Sequence, residues 1–433
     1  MDDEQLERRL RRDPTMDPPH QAGGFRDRLA DGAIDGPPTR RRRGASIGGP
    51  LVIAATVLVV AALIVGRMVP PAVGPGSSPP AATVAPLPTE RLQALLIDWA
   101  HRGPAHRATM AVISPIGETW TGSSAGAGEA ALDPLSTYRI AEMSRMLLVS
   151  AVMSLDECGR GSGEARCPTP TTGLPFSVDD RLSRWIPGWP NGDAITIRQL
   201  LDGTNGLAPV TSGIADLVDR VTADPAADWT TAGLIAQARA LPPAFAPGTG
   251  FAITDTADLL LDDIISRATG RPSLFWIGSS AVGHFGLTST TLANEPPKGL
   301  VAGTLAGGPR IADLPHAVLT AIGNASGVAS NSLDLARFAS PAWSTTSIHD
   351  GSTIAAVTAV ANEHSYGLGV RGLCPCVAGR PTVLGLTGHA AAWSGIVAKD
   401  TVGRWSIALL VDADLTDADL EAVLDQVLAA RSG

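Results

Sequence analysis

The chain has 433 residues, 44% of them hydrophobic and 17% charged, enough apolar side chain for one large domain or two ordinary ones plus tails. A net charge of -9 and a pI near 5.4 exclude a general basic surface, so no nucleic-acid partner is expected. Lysine is confined to Lys298 and Lys399 and tyrosine to Tyr138 and Tyr366, which narrows the set of side chains able to take up a proton near neutral pH.

Residues 1–43 mix charge, Pro and Gly and end in the run Arg40–Arg43, and a disordered tail is expected there. From Gly44 to Gly66 no charge occurs, and about 20 such residues span a bilayer, so a transmembrane anchor is predicted over 44–68. The arginines before it keep the N-terminus cytoplasmic. A cleaved signal peptide has a short charged leader, whereas more than forty residues precede this apolar run. The expected location is therefore the cell membrane, single pass, with the C-terminal part outside. Residues 69–88 are rich in Pro and Ala and read as a semi-extended linker.

The remaining stretch, 89–433, is expected to be one α+β domain. Thr89–Arg102 has Leu92, Leu95, Leu96 and Trp99 at helical spacing. Thr109–Gly122 reads as a hairpin around Pro115–Gly117. Tyr138–Glu157 is apolar on almost every side in its later part, which predicts a helix at the centre of the domain. Glu142 and Arg145 sit at its start, three apart and on one face, where they are expected to pair. Helices are also predicted at the end of Trp185–Leu201, over Asp255–Thr269, from Ser332 behind a Ser cap, and over Thr416–Ala430. Strands are predicted at Tyr366–Val370, Thr382–Thr387, Trp393–Lys399 and Trp405–Asp412.

Cys158, Cys167, Cys374 and Cys376 all follow the predicted anchor, in an oxidising space if the topology holds. Cys158–Cys167, closing a short Gly-rich insertion, is the preferred bridge; Cys374 and Cys376 would then form a tight ring or stay free. No His lies at ligand spacing near either pair, so neither a metal site nor any other cofactor is expected.

Five collinear segments resemble the serine β-lactamases of the class C type and the penicillin-binding-like hydrolases. They are YRIAEMSRM, the run 180–207 ending in RQLLDGTNGL, FAPGTGFAITD within 245–272, SGVASNSLDLARFA at 326–339, and YGLGV followed by LGLTGH at 384–389. The resemblance implies a β-lactamase/transpeptidase-like fold, a mainly antiparallel sheet flanked by helices plus a helical lobe, with a catalytic serine at the mouth of the buried helix. In that chemistry a Ser attacks a carbonyl, a Lys one turn later takes up its proton, and a Tyr or second Lys assists.

Carried over by position, the Ser-x-x-Lys pair falls on Glu142 and Arg145, the Tyr-x-Asn pair on Ile253 and Asp255, and the basic residue before Thr387–Gly388 on Leu386. Nucleophile and bases are thereby lost, and Arg145 stays protonated at any relevant pH. Ser144 points away from the Glu142 side of the helix, so His389 is the one imidazole near the expected cleft; a polar rim residue is the preferred reading over a catalytic one. Glu142, Arg145, Asp255 and Thr387 thus mark the family's catalytic positions, with Ile253, Leu386, Gly388 and His389 around the cleft. The expectation is one ion cluster, Arg145 between Glu142 and Asp255, with a depressed Glu142 pKa. The function expected is binding or regulation at the envelope, of a cell-wall peptide or an envelope protein; the alternative is an active hydrolase (β-lactamase, D-Ala-D-Ala carboxypeptidase or esterase) with a rearranged site.

Overall fold

The computed structural model describes residues 86–430 apart from 102–106, 126–127, 163–166, 169–174, 212–222, 293–296, 298, 306–308, 322–326, 345–348, 361–363 and 378–379. The predicted tail and the anchor over 44–68 lie outside the described residues. Among the described residues no helix is long and apolar enough to cross a membrane.

One six-stranded antiparallel sheet organises the domain. Its strands are β1 (Ala108–Ile113), β2 (Thr119–Ser124), β3 (Arg371–Val377), β4 (Arg380–His389), β5 (Ser394–Asp400) and β6 (Ser406–Val411). They lie in the order β2-β1-β6-β5-β4-β3, so the N-terminal hairpin adds to the edge of a C-terminal meander. The expected hairpin therefore forms, with Ala111 opposite Thr121 and a turn closed by Ser114 and Glu118.

Both faces of the sheet are covered, which explains why β6 reads as the continuous apolar run SIALLV rather than as an alternation. Ile407, Leu409 and Val411 face an outer core shared with α1 (Thr89–His101) and the terminal α6 (Asp417–Ala430). Ala408 and Leu410 face an inner core built on α2 (Arg145–Gly159), α4 (Asp255–Thr269) and α5 (Ser332–Ala342). Helix α2 is buried along nearly its whole length, from Met146 to Leu155. Each such Leu, Met or Val contributes about 1.5–3 kcal/mol by leaving water.

The central helix starts later than its apolar pattern predicts. Tyr138–Arg139 is a short strand paired with Ala329–Ser330, Ala141–Ser144 is a single tighter turn, and α2 begins at Arg145. Short α3 (Ile197–Asp202) carries a full capping box, Thr196 with Gln199, and stops at Gly203 with a positive φ. Helix α5 is capped by Asn331, whose side chain accepts from Asp334 N, and not by the expected serine. Tyr366–Val370 is loop rather than strand. Lys399 lies in β5, within the predicted strand Trp393–Lys399. Cys158 and Cys167 form the expected disulfide, Cα atoms 5.5 Å apart, at the end of α2. The side chains of Cys374 and Cys376 lie outside those described.

Candidate active site

The mouth of α2 is a backbone joint. Gly388, near the end of β4, lies against the turn Ala141–Ser144 so closely that an added Cβ would sit 2.4 Å from the Ile140 carbonyl oxygen and 3.2 Å from Met143 N. Ile140 N in turn bonds Val328 O, which ties the turn to the strand before α5. Wedged between them, Ala141 adopts φ +44°, a left-handed conformation that costs a non-glycine residue about 1 kcal/mol or more. That strain is stored at the residue immediately before Glu142.

Glu142 uses the joint. Its carboxylate accepts from the backbone N–H of His389 at 2.7 Å and from its own backbone N–H. Two backbone N–H groups converging on one acidic group make the kind of cradle in which hydrolases hold a developing oxyanion. Here the side chain at the nucleophile position fills the cradle itself. The residue is partly buried, and desolvation of its carboxyl pushes its pKa above the ordinary carboxylate range, with the His389 charge and the two N–H groups pulling it back. The depressed pKa expected for Glu142 is therefore not found: the pairing with Arg145 on which it rested does not form, and desolvation wins.

His389 is held on both ring nitrogens. Nε2 lies 2.9 Å from Asp417 Oδ1 and Nδ1 lies 3.7 Å from Asp414 Oδ1. Burial alone would lower its pKa, but those two carboxylates and the charge of Glu142 push it up to about 10. It is an imidazolium at neutral pH, with no lone pair to accept a proton, and it is buried rather than on a rim. Asp417 also accepts from Thr387 and pairs with Arg371 at 3.0 Å, and Arg371 bonds Glu421 as well. Burial opposes ionisation of Asp417, yet these donors hold its carboxyl well below the usual range. The spacing Glu142…His389…Asp414…Asp417 spans the chain, so sequence alone did not reveal the two aspartates.

Arg145 belongs to a different cluster. One guanidinium nitrogen donates to Leu200 O (2.8 Å) and Leu201 O (3.1 Å) at the end of α3, another pairs with Asp258, and the charge acts on the buried Tyr366 hydroxyl. The predicted Glu142–Arg145–Asp255 cluster is thus corrected at both carboxylates. Asp255, the first residue of α4, is saturated by four donors: Val210 N (2.9 Å), Thr211 N (3.1 Å), Thr256 N (2.8 Å) and the Thr211 hydroxyl. Asp258, three residues on and on the same helix face, takes the guanidinium instead.

The other carried-over positions are apolar. Leu386 is buried in the inner core, and Ile253 packs over the glycine that ends α3. Lys399, the only lysine among the described residues, is opposite Leu384 on β5, whereas Thr387 is opposite Ile396. Three residues of strand, about 10 Å, separate it from the cleft, and its amino group bonds Arg404 O and the Ser406 hydroxyl. Among the described residues, the cleft therefore brings together an acid, an imidazolium and two aspartates, with no hydroxyl or amine placed as nucleophile and base.

The profile of the Beta-lactamase family matches residues 88–431. The chain belongs to that family. Solved structures with the same fold include the D-stereospecific amidohydrolase from a Streptomyces species (21% identity, TM-score 0.63, covering 79% of this chain and 98% of that one). The D-amino acid amidase from Ochrobactrum anthropi SV3, in complex with L-phenylalanine, is similar at 18% identity and TM-score 0.64, covering 79% and 98%. The octameric penicillin-binding protein homologue from Pyrococcus abyssi follows at 18% and 0.62, covering 79% and 78%. No curated protein matches the chain.

Proposed function

We propose that this β-lactamase-family chain is a single-pass membrane protein whose outer domain binds at the cell envelope and does not hydrolyse through the family's cleft. The observation that carries this reading is the Glu142 carboxylate, which occupies both the nucleophile position and the two-donor cradle facing it. An acyl carbonyl has neither an attacking hydroxyl nor a vacant donor pair there. The apolar run Gly44–Gly66 after four arginines supports anchoring with the N-terminus cytoplasmic. The ligand class proposed is a D-amino-acid-containing cell-wall peptide or the surface of an envelope protein. The D-stereospecific and penicillin-binding character of the structural neighbours supports the first.

Full-length protein incubated with a fluorescent penicillin and with D-phenylalanine amide tests the reading. No covalent label and no ammonia release are expected. A label or turnover that disappears in Glu142→Ala or Ser144→Ala would show the cleft to be active. Membrane fractionation of the chain with and without residues 44–68 tests the anchor; recovery of both in the soluble fraction would refute it.

A further inference from the structure

A serine, a histidine and a glutamate come together further along α2, away from the cleft. Ser150 Oγ is 3.0 Å from His349 Nε2, and His349 Nδ1 is 3.1 Å from Glu157 Oε2. The other oxygen of Glu157 accepts from Asp350 N at 2.8 Å, so the carboxylate is fixed from both sides. Asp350 is itself held by Arg160, which also bonds Asp156, and caps the short helix Gly351–Val357. All three side chains are buried, so the hydrogen bonds act without competition from water.

The tautomer follows from the partners. An ionised Glu157 can only accept, so Nδ1 carries a proton, and in the neutral ring Nε2 presents its lone pair to the Ser150 hydroxyl. Burial alone would raise the Glu157 carboxyl, but the bonds from His349, Asp350 and Thr353 hold it below the ordinary value and keep it ionised. This is the nucleophile, base and orienter relation that activates a serine. The Ser150 hydroxyl also borders a cavity of about 20 Å³, with Met146, Val149, Met153, Phe338 and Leu368 in its wall. Gly369, which offers only backbone, completes the wall against Val149; an added Cβ there would lie 2.3 Å from a Val149 methyl.

From this juxtaposition we infer that Ser150, His349 and Glu157 form a second acyl-transfer site, selective for esters of very short aliphatic acids. Room for about one water-sized body beside the hydroxyl fits an acetyl methyl and excludes long chains. Ser150 Oγ forms a bond to the ester carbonyl carbon while its proton passes to His349 Nε2. The C–O bond to the alcohol breaks, and His349 returns the proton to the departing alkoxide. Water then repeats the sequence, releasing the acid and regenerating Ser150. Glu157 stays ionised throughout. This inference stands independently of the proposed inertness of the cleft, which involves Glu142 and Ser144.

A small-alkyl fluorophosphonate, whose P–F bond is replaced by a P–O bond to an activated serine, tests it on the full-length protein, with p-nitrophenyl acetate and hexanoate as turnover probes. The expected result is one adduct, located by tandem mass spectrometry on Ser150, lost in Ser150→Ala and retained in Ser154→Ala. Labelling should slow at least ~100-fold in His349→Gln, since a general base is worth about 10²–10⁴. Acetate should be cleaved in preference to hexanoate. Near-UV circular dichroism establishes that each variant is folded. No adduct on the folded wild type, or an adduct that survives in Ser150→Ala, overturns the inference. An adduct on Ser144 would instead overturn the inertness of the cleft.

Discussion

Replacing Arg145 by alanine is the sharpest test of how the cleft is held. The guanidinium ties α2 to α3 through two carbonyls and to α4 through Asp258, with side-chain exposures of only 4% and 16% in the ion pair. Removing one partner of a buried pair strands the other charge, which costs on the order of 3–5 kcal/mol. Unfolding entropy near 2.1 cal/mol/K per residue, over roughly 340 residues of the domain, gives about 0.7 kcal/mol/K. The melting temperature should therefore fall by ~4–7 °C, read by calorimetry as the difference from wild type at one pH. A double-mutant cycle then identifies the partner. Arg145 with Asp258→Asn should show coupling of about 1 kcal/mol or more, and Arg145 with Asp255→Asn close to none. A melting temperature within about 1 °C of wild type, or coupling larger for Asp255 than for Asp258, would refute the reasoning.

Three further outcomes follow from the cleft. In Glu142→Gln the amide oxygen still accepts from His389 N–H without a buried charge. A carboxyl raised above its unfolded value of 4.5 stabilises below that pH and loses the contribution as pH rises, so at pH 7 the variant should melt at or above wild type; a fall of more than about 3 °C would contradict this. His389 titrates near 10 against 6.5 unfolded, so its stabilisation is complete below about pH 6.5 and fades through pH 10. That is on the order of 5 kcal/mol at about 1.4 kcal/mol per pH unit, and His389→Gln should flatten this alkaline fall in a pH series of denaturant titrations. Gly388→Ala puts a methyl onto a fixed backbone carbonyl and should cost at least about 3 kcal/mol, the upper end for overpacking; a near-neutral urea midpoint would mean that the joint between β4 and the turn can open.

The parts of the fold that follow from periodicity were legible in the chain: the hairpin at 108–124, the all-round apolar α2, the helix at Asp255 and the terminal helix. What failed was orientation at element ends. Tyr138 and Arg139 precede the apolar run of the predicted helix without a break, yet pairing with Ala329–Ser330 makes them strand, a contact almost two hundred residues away. The same limit governs the site. Positions Glu142, Arg145 and Asp255 were found by their place in the motifs, but their partners depend on which carboxylate each donor reaches first. Asp255 follows the helix cap Thr254, but of its donors only Thr256 N is local; Val210 and Thr211 come from a loop about 45 residues earlier, which no local signal reveals. His349 and Glu157, by contrast, are separated by 192 positions, and only the packing of the 349–350 turn on α2 joins them.

Two separate ion networks hold the two sides of the cleft. Glu142 with His389, Asp414 and Asp417 closes the strand side; Arg145 with Asp258 and the α3 carbonyls closes the helix side. Arg145 and Asp258 neutralise one another, and the carboxylates of the strand side are met by His389 and Arg371, so neither network draws on the other. Restoring a hydroxyl at 142 would leave the second network untouched. A lysine at 145, set beside the Asp258 carboxylate, would be held in its charged form and could not accept the serine proton, because an adjacent opposite charge favours ionisation. On the proposed inertness of the cleft, installing a Ser–Lys pair therefore requires Asp258 to change together with 142 and 145.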